Sequence, residues 1–133
     1  MSTMQLDIVT PERKVYSEQV EMVSTRAAEG DIGILPNHIP LVSPLDITIV
    51  RIKKSGQELQ IAISGGFLEV RPDKVTILAE TAELPSEIDV DRAERAKVRA
   101  EQRLVNKQDD VDFRRAEMAM QRAINRLNIS GRR

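Results

Sequence analysis

The chain has 133 residues and a formal net charge of −1, and 41% of its residues are hydrophobic. This composition predicts one ordinary domain, or a small domain with an appendage, and excludes wholesale disorder. The absence of cysteine excludes a disulfide scaffold, a thiolate zinc site and a cysteine nucleophile.

The N-terminal segment has the two-residue period of β-strands. Short strands are predicted at Gln5–Thr10, Val20–Thr25, Ile47–Ile52, Leu59–Ser64, Phe67–Val70 and Val75–Ala79. Turn-forming clusters, among them Ser64-Gly65-Gly66, are expected to separate these strands. Several short strands of this kind predict an antiparallel sandwich or barrel over residues 1–85.

The pattern changes after Pro85, and residues 86–133 predict two helices. Ser86 stands three residues before Asp89 in a capping-box-like arrangement, which predicts the start of the first helix. Two alanine-rich faces follow with helical spacing: Ala93, Ala96, Ala100 and Leu104, then Ala116, Ala119, Ala123 and Leu127. A turn near Lys107 and a stop at Gly131 complete an antiparallel hairpin. The predicted fold class is α+β, an antiparallel β-sandwich followed by a two-helix hairpin.

The small net charge conceals an asymmetry between the two segments. Residues 1–87 hold 8 basic and 13 acidic side chains, a balance of −5, whereas residues 88–133 hold 12 basic and 8 acidic side chains, a balance of +4. This separation predicts that the segments meet different partners, or each other. Nucleic acid is a poor candidate partner, because one Tyr, two Phe and no Trp leave little for base stacking.

A search for catalytic chemistry finds no candidate site. No glycine is followed by Lys-Ser or Lys-Thr at the spacing of a phosphate-binding loop. His38 is the only histidine, which excludes a multi-histidine metal site. It lies between Pro36 and Pro40, and we expect a loop or interface residue there rather than a catalytic one. The sequence therefore predicts no enzymatic activity and no metal site.

The arginines of the second segment form a pattern of their own. Arg92 and Arg99 share one helix face, and Arg122 and Arg126 share another. In an antiparallel hairpin turning near Lys107, Arg92 would lie about level with Arg122. Converging guanidinium groups are costly unless an anion or carboxylates lie between them. Spacing alone leaves two alternatives open, a site for a phosphate-bearing ligand and an ordinary solvated face.

Two strings are more specific than any periodicity. They are GDIGILPNHIPL at Gly30–Leu41 and SGGFLEV at Ser64–Val70, and they strongly resemble the epsilon subunit of F-type ATP synthases. VTILA at Val75–Ala79 and the alanine-rich hairpin extend the resemblance over nearly the whole chain. The resemblance implies a non-catalytic central-stalk subunit, peripheral to the cytoplasmic face of the bacterial membrane.

The resemblance also implies partners. The sandwich would bind the gamma subunit and the c-ring, and Asp31 and His38 fall, by position, in that contact. The hairpin would be either folded on the sandwich or extended towards the α/β catalytic subunits, where it inhibits ATP hydrolysis.

The string Ile88-Asp89-Val90-Asp91-Arg92-Ala93 is similar to a motif of Bacillus-type members that bind ATP on the folded hairpin. The resemblance implies that ATP is a regulatory ligand that is not turned over. The implied ATP-binding residues are Glu83, Ile88, Asp89, Arg92, Ala93, Arg99, Arg122 and Arg126. Ile88, Asp89 and Ala93 would lie towards the base, and the arginines would serve the ribose and phosphates.

One departure and one alternative accompany this interpretation. Pro85 stiffens the segment beside Glu83 and is expected to alter the hinge or the position of Glu83. The alternative is a free-standing ATP-binding sensor or adaptor, which would be a monomer that fails to associate with gamma.

Overall fold

A computed structural model describes residues 2–106 and 110–130. The chain divides after Leu84 into two compact units, which are described separately. The described strands are β1 Met4–Val9, β2 Lys14–Val20, β3 Met22–Ala27, β4 Gly30–Ile34, β5 Leu41–Lys54, β6 Gln57–Val70 and β7 Lys74–Glu83. The second unit contains a 3₁₀ turn, Pro85–Glu87, and the helices α1 Val90–Asn106 and α2 Asp110–Ile129.

The strands of the N-terminal unit form one sheet in the order β2-β1-β7-β6-β5-β3-β4. Neighbouring strands are antiparallel except for β1 and β7, which are parallel. The edge strand β2 also packs against β5, so the sheet folds over and encloses its core. The predicted antiparallel sandwich is confirmed, with one parallel pair that periodicity does not reveal.

Strand alternation supplies the core of this unit. Leu6 and Ile8 on β1, Leu68 on β6 and Ile77 on β7 are completely buried, and along each strand they alternate with residues of the opposite face of the sheet. Burial of each such side chain is worth about 1.5–3 kcal/mol. The core is therefore built mainly from aliphatic residues of the central strands.

Two predictions about the strands are wrong. Val20–Thr25 is not one strand, because β2 ends at Val20 and β3 begins at Met22. Ser64-Gly65-Gly66 is not a turn, because β6 continues through these residues and keeps the same register with β5 before and after them. Gly66 has a φ of 143°, and a Cβ there would lie 2.0 Å from the carbonyl oxygen of Leu78. Glycine therefore allows β6 and β7 to approach closely.

Helix α1 is capped by Asp89. The Asp89 carboxylate accepts a hydrogen bond from the backbone N–H of Arg92 at 3.0 Å, and the Asp89 carbonyl accepts one from Ala93 at 3.0 Å. The predicted start at Ser86 is wrong, because Ser86 lies in the 3₁₀ turn before the helix. In this turn the backbone N–H of Ile88 donates a hydrogen bond of 3.3 Å to the Pro85 carbonyl. The predicted turn at Lys107 and stop at Gly131 lie outside the described residues.

The alanine-rich faces form the seam between α1 and α2. Its buried members are Ala93, Ala100, Ala116, Ala123 and Leu127, and Ala96, Leu104 and Ala119 are half-buried. The predicted hairpin is confirmed. Because alanine side chains are small, the seam buries little apolar area for its length. Neither described helix has the length and hydropathy that crossing a bilayer requires.

Candidate functional site

The four arginines singled out in the sequence lie on one side of the hairpin. Each immediately precedes a buried residue of the seam: Arg92 precedes Ala93, Arg99 precedes Ala100, Arg122 precedes Ala123 and Arg126 precedes Leu127. Each arginine is therefore turned by about 100° from the seam, in the same sense. In two antiparallel helices that face each other, residues turned in the same sense from the seam lie on the same side of the pair.

The two helices contribute these side chains differently. Arg92 and Arg99 of α1 are exposed, and Arg122 and Arg126 of α2 are half-buried. No carboxylate among the described residues forms an ion pair with Arg92, Arg99 or Arg122. A group of guanidinium side chains that the protein's own carboxylates do not neutralise attracts an anion, and phosphate fits the planar fork of each arginine.

The other predicted hairpin residues lie at the start of α1. Asp89 is exposed and holds the first turn through its carboxylate, and Ile88 precedes it half-buried. Ala93 is 2% exposed, so its methyl group belongs to the seam. Seven of the eight predicted ATP-binding residues thus occur in one compact unit. The eighth, Glu83, ends β7 in the N-terminal unit and is half-buried.

Asp31 and His38 belong to the N-terminal unit. Asp31 is exposed on β4, opposite Arg26 of β3. His38 is half-buried in the loop after β4, and its Nδ1 lies 2.7 Å from the carbonyl oxygen of Ile39. The backbone of the same loop is held by a hydrogen bond of 2.8 Å from Asn37 N–H to the carbonyl of Pro72. The loop therefore has a defined shape.

Sequence reasoning missed two apolar residues of this loop. Leu35 is 57% exposed and Ile39 is 79% exposed, on either side of His38. Their signal in the sequence is that each of these large aliphatic residues immediately precedes a proline, Pro36 or Pro40, in a segment that cannot be a buried strand. Exposed aliphatic side chains on an ordered loop suit a protein contact.

Within residues 2–106 and 110–130, no three His, Asp or Glu side chains lie close enough together to hold a metal ion. The arrangement of arginines can bind and orient an anion.

Comparisons with known proteins cover both units. Residues 3–85 match the family described as "ATP synthase, Delta/Epsilon chain, beta-sandwich domain", and residues 86–131 match "ATP synthase, Delta/Epsilon chain, long alpha-helix domain". An ATP synthase epsilon chain of Alkalihalophilus pseudofirmus is 62% identical over 99% of this chain and 100% of the relative. An epsilon chain of Bacillus subtilis is 57% identical over the same shares of the two chains.

Two solved structures share the fold. A chain of the Euglena gracilis mitochondrial ATP synthase, a structure of its OSCP/F1/c-ring, superposes with a TM-score of 0.82 at 24% identity, covering 94% of this chain and 79% of that one. A chain of the Tetrahymena thermophila mitochondrial ATP synthase central stalk and c-ring gives a TM-score of 0.67 at 14% identity, covering 97% of each. At these identities the likeness establishes the fold alone.

Proposed function

The chain belongs to the ATP synthase delta/epsilon family, and on this premise we propose that it is a regulatory subunit of the central stalk whose hairpin senses ATP. It is a stalk subunit rather than a catalytic one. Its N-terminal unit binds the gamma subunit and the c-ring, at the cytoplasmic face of the bacterial membrane. Its hairpin has a folded state that ATP favours and an extended state that inhibits hydrolysis by the α/β subunits.

The ATP proposal rests on one observation, which is that the four arginines lie on the same side of the hairpin. Three of them, Arg92, Arg99 and Arg122, have no carboxylate partner among the described residues. A triphosphate supplies several negative oxygens along one axis, which suits a row of guanidinium groups on two adjacent helices. Ile88 and Asp89, at the start of α1, serve the base, as does Ala93, and Glu83 is the eighth proposed ligand.

Binding of ATP at this place accounts for regulation without turnover. The arginines converge only while α1 and α2 are paired, so the ligand binds the folded hairpin and not the extended one. A ligand that binds one state shifts the population towards it. When ATP is scarce the hairpin is released and hydrolysis is inhibited. Pro85, in the 3₁₀ turn beside Glu83, stiffens the segment about which this change occurs.

The contact with gamma and the c-ring is supported by the loop after β4. Asp31 precedes this loop on β4, and His38 lies within the loop between the exposed side chains of Leu35 and Ile39. A loop held in shape by backbone hydrogen bonds presents these apolar groups at little entropic cost. We therefore place the contact with the rotor at this loop.

Calorimetric titration with ATP tests the nucleotide proposal. The wild-type chain should bind one ATP, and Arg92→Ala and Arg122→Ala should each weaken binding by roughly tenfold or more, because each removes a charge-assisted hydrogen bond. Lys97→Ala is the control, since Lys97 lies on α1 about 40° from Ala93 in the opposite sense to Arg92 and Arg99, where its Nζ is 4.0 Å from the Glu101 carboxylate. Equal weakening by Lys97→Ala would contradict the proposed site.

Co-purification with gamma separates the stalk subunit from a free-standing sensor. A chain that binds ATP but never associates with gamma would be an ATP-binding adaptor. Association with gamma, together with inhibition of hydrolysis that ATP relieves, supports the stalk function.

A further inference from the structure

Three basic residues of β3 and β5, Arg26, Arg51 and Lys53, lie together and form what we call the basic patch. Ser24 of β3 pairs with Arg51 of β5, and Met22 pairs with Lys53. Arg26 follows Ser24 by two residues on β3 and therefore lies on the same face as Ser24 and Arg51. The residues that alternate with them on each strand are buried. The basic patch thus faces away from the core.

The charges of the basic patch are not neutralised by the chain, although residues 1–87 are acidic as a whole. The ion pairs of the N-terminal unit use other basic residues, Lys54, Arg71 and Lys74. In the described parts of the chain, the exposed side chains of Arg26, Arg51 and Lys53 form no ion pair or hydrogen bond. Three neighbouring positive charges repel one another and attract an anion.

The residues on either side of Arg51 are polar and uncharged. Ser24 of β3 stands opposite Arg51 on one side, and Gln60 of β6 stands opposite it on the other. An anion bound by the guanidinium group would therefore have a hydroxyl and an amide beside it. Both groups can donate hydrogen bonds to an oxygen of the anion.

Two carboxylates border the basic patch without neutralising it. Asp31 of β4 stands opposite Arg26, and Glu58 of β6 stands opposite Lys53, but neither pair forms an ion pair among the described residues. A bound anion must outcompete these carboxylates for the cations. This competition favours a phosphate group, which carries more charge than one carboxylate and binds arginine in a bidentate manner.

A cavity of about 440 Å³ adjoins the basic patch and has Lys53 in its wall. Met22 and Leu35 supply apolar walls. The Met22 side chain lies over Gly33, where an added Cβ would be 2.9 Å from the Met22 Cε atom. Glu21 also lines the cavity, and its carboxylate accepts a hydrogen bond of 2.8 Å from a backbone N–H. A cation beside apolar walls suits a ligand with an anionic end and an apolar end.

We propose that the basic patch binds the phosphate of an amphiphilic ligand and that the adjoining cavity takes the apolar group attached to this phosphate. An anionic phospholipid and a soluble phosphate ester share this chemistry. The site lies wholly in the N-terminal unit, so it is separate from the arginines of the hairpin.

Nuclear magnetic resonance of the full chain, in a buffer without phosphate, tests the site. Dihexanoyl phosphatidic acid should shift the amide signals of Met22, Ser24 and Arg51 until they saturate. Arg51→Gln should weaken this binding about tenfold or more, because a charge-assisted hydrogen bond is lost. Lys14→Gln is the matched control, since Lys14 is a single exposed cation on β2, and it should change the affinity by less than about twofold. Binding by the hairpin arginines would shift the amide signals of α1 and α2 instead.

Two further probes distinguish the sources of the phosphate. Inorganic phosphate should bind more weakly than dihexanoyl phosphatidic acid, because it buries no apolar group, and Leu35→Ser should reduce this difference. Equal binding of the two would overturn the role of the cavity and leave a site for soluble phosphate. Dihexanoyl phosphatidylcholine carries its own cation and should bind weakly, and equal binding of this lipid would overturn the role of the basic patch.

The whole site is overturned by either of two results. One is that no phosphate-bearing probe shifts the amide signals of β3 and β5 at millimolar concentration. The other is that Lys14→Gln weakens binding as much as Arg51→Gln does. Circular dichroism and the melting temperature of each variant establish that the sheet is intact.

Discussion

The Asp89 carboxylate accepts a hydrogen bond from the backbone amide of Arg92 at 3.0 Å. The residue that caps α1 thus accepts a hydrogen bond from the first of the four arginines on the hairpin. Any ligand that engages the Asp89 carboxylate acts on the same group that stabilises the first turn of the helix. The cap and the candidate site can nevertheless be separated by substitution.

We expect Asp89→Ala to destabilise the hairpin by about 1 kcal/mol, because the first turn loses its side-chain acceptor. Asp89→Asn should leave the stability of the hairpin nearly unchanged, because Asn caps as well as Asp. If the carboxylate also binds the base of ATP, both variants should bind ATP more weakly. Hydrogen exchange of the amides of α1 and calorimetric titration measure the two effects. Equal exchange in the two variants would contradict the capping role.

The stability of the N-terminal unit should depend on the ionisation of Asp7. Its carboxylate accepts hydrogen bonds from Gln5 at 2.8 Å and Ser17 at 2.7 Å, and Lys74 lies 3.2 Å away. The hydrogen bond from Gln5, with those from Ser17 and Lys74, lowers the pKa of Asp7 from 3.8 to about 2. The folded state therefore favours the ionised form, and the stabilisation is complete above about pH 4 and lost as the pH falls through 2.

Asp7→Asn tests this dependence. At pH 7 the variant should be less stable than the wild type by about 1 kcal/mol. This free-energy difference is smaller than the shift in the pKa of Asp7 alone would give, because solvent near the carboxylate screens its charge. The difference should shrink towards zero at about pH 2. Denaturant unfolding at several pH values measures it, with Glu12→Gln, at an exposed position, as the control. If the difference in unfolding free energy were the same at every pH, the charge of the Asp7 carboxylate would not contribute to stability.

Gly66→Ala should strongly destabilise the sheet. The added Cβ would lie 2.0 Å from the Leu78 carbonyl oxygen, and β6 and β7 would have to separate. Gly56→Ala is the comparison, because Gly56 has a positive φ of 76° but nothing within 4 Å of an added Cβ. We expect a loss of about 1–2 kcal/mol for Gly56→Ala from backbone strain alone. Thermal unfolding should show a much larger loss for Gly66→Ala, and equal losses would contradict the close approach.

Ala123→Leu should force α1 and α2 apart. Ala123 is completely buried in the seam, and overpacking of such a site costs about 1–3 kcal/mol. Hydrogen exchange should accelerate in both helices while the sheet keeps its protection. Gln121→Leu adds an apolar side chain of the same size at an exposed position of α2 and should leave exchange unchanged. Unchanged exchange in Ala123→Leu would mean that the seam has room for a larger residue.

The hairpin could be predicted closely because its signals are local. Ala93 and Ala100 recur with helical spacing, and each is immediately preceded by an arginine. The periodicity of the sequence therefore already predicts that these arginines lie on one side of the hairpin. The start of α1 could not be predicted, because Ser86 and Asp89 are both good caps. The 3₁₀ turn at Pro85 decides between them.

The sheet was less predictable because its pairings join distant residues. Strands β2 and β4 lie at the edges of the sheet, where much of each strand faces solvent and the alternation of apolar residues is weak. No local pattern in the sequence reveals the pairing of β1 with β7. Phe67 follows two glycines that resemble a turn, and only the register of β6 shows that it faces outwards.

The place of β1, between β2 and the last strand of the sheet, has a consequence for synthesis. As the chain leaves the ribosome, β1 can pair with β2 at once, but its other edge has no partner until β7 is made. An open strand edge can pair with other chains. We therefore expect the nascent N-terminal unit to be most prone to aggregation just before β7 emerges, and to finish folding while the ribosome is translating the helices.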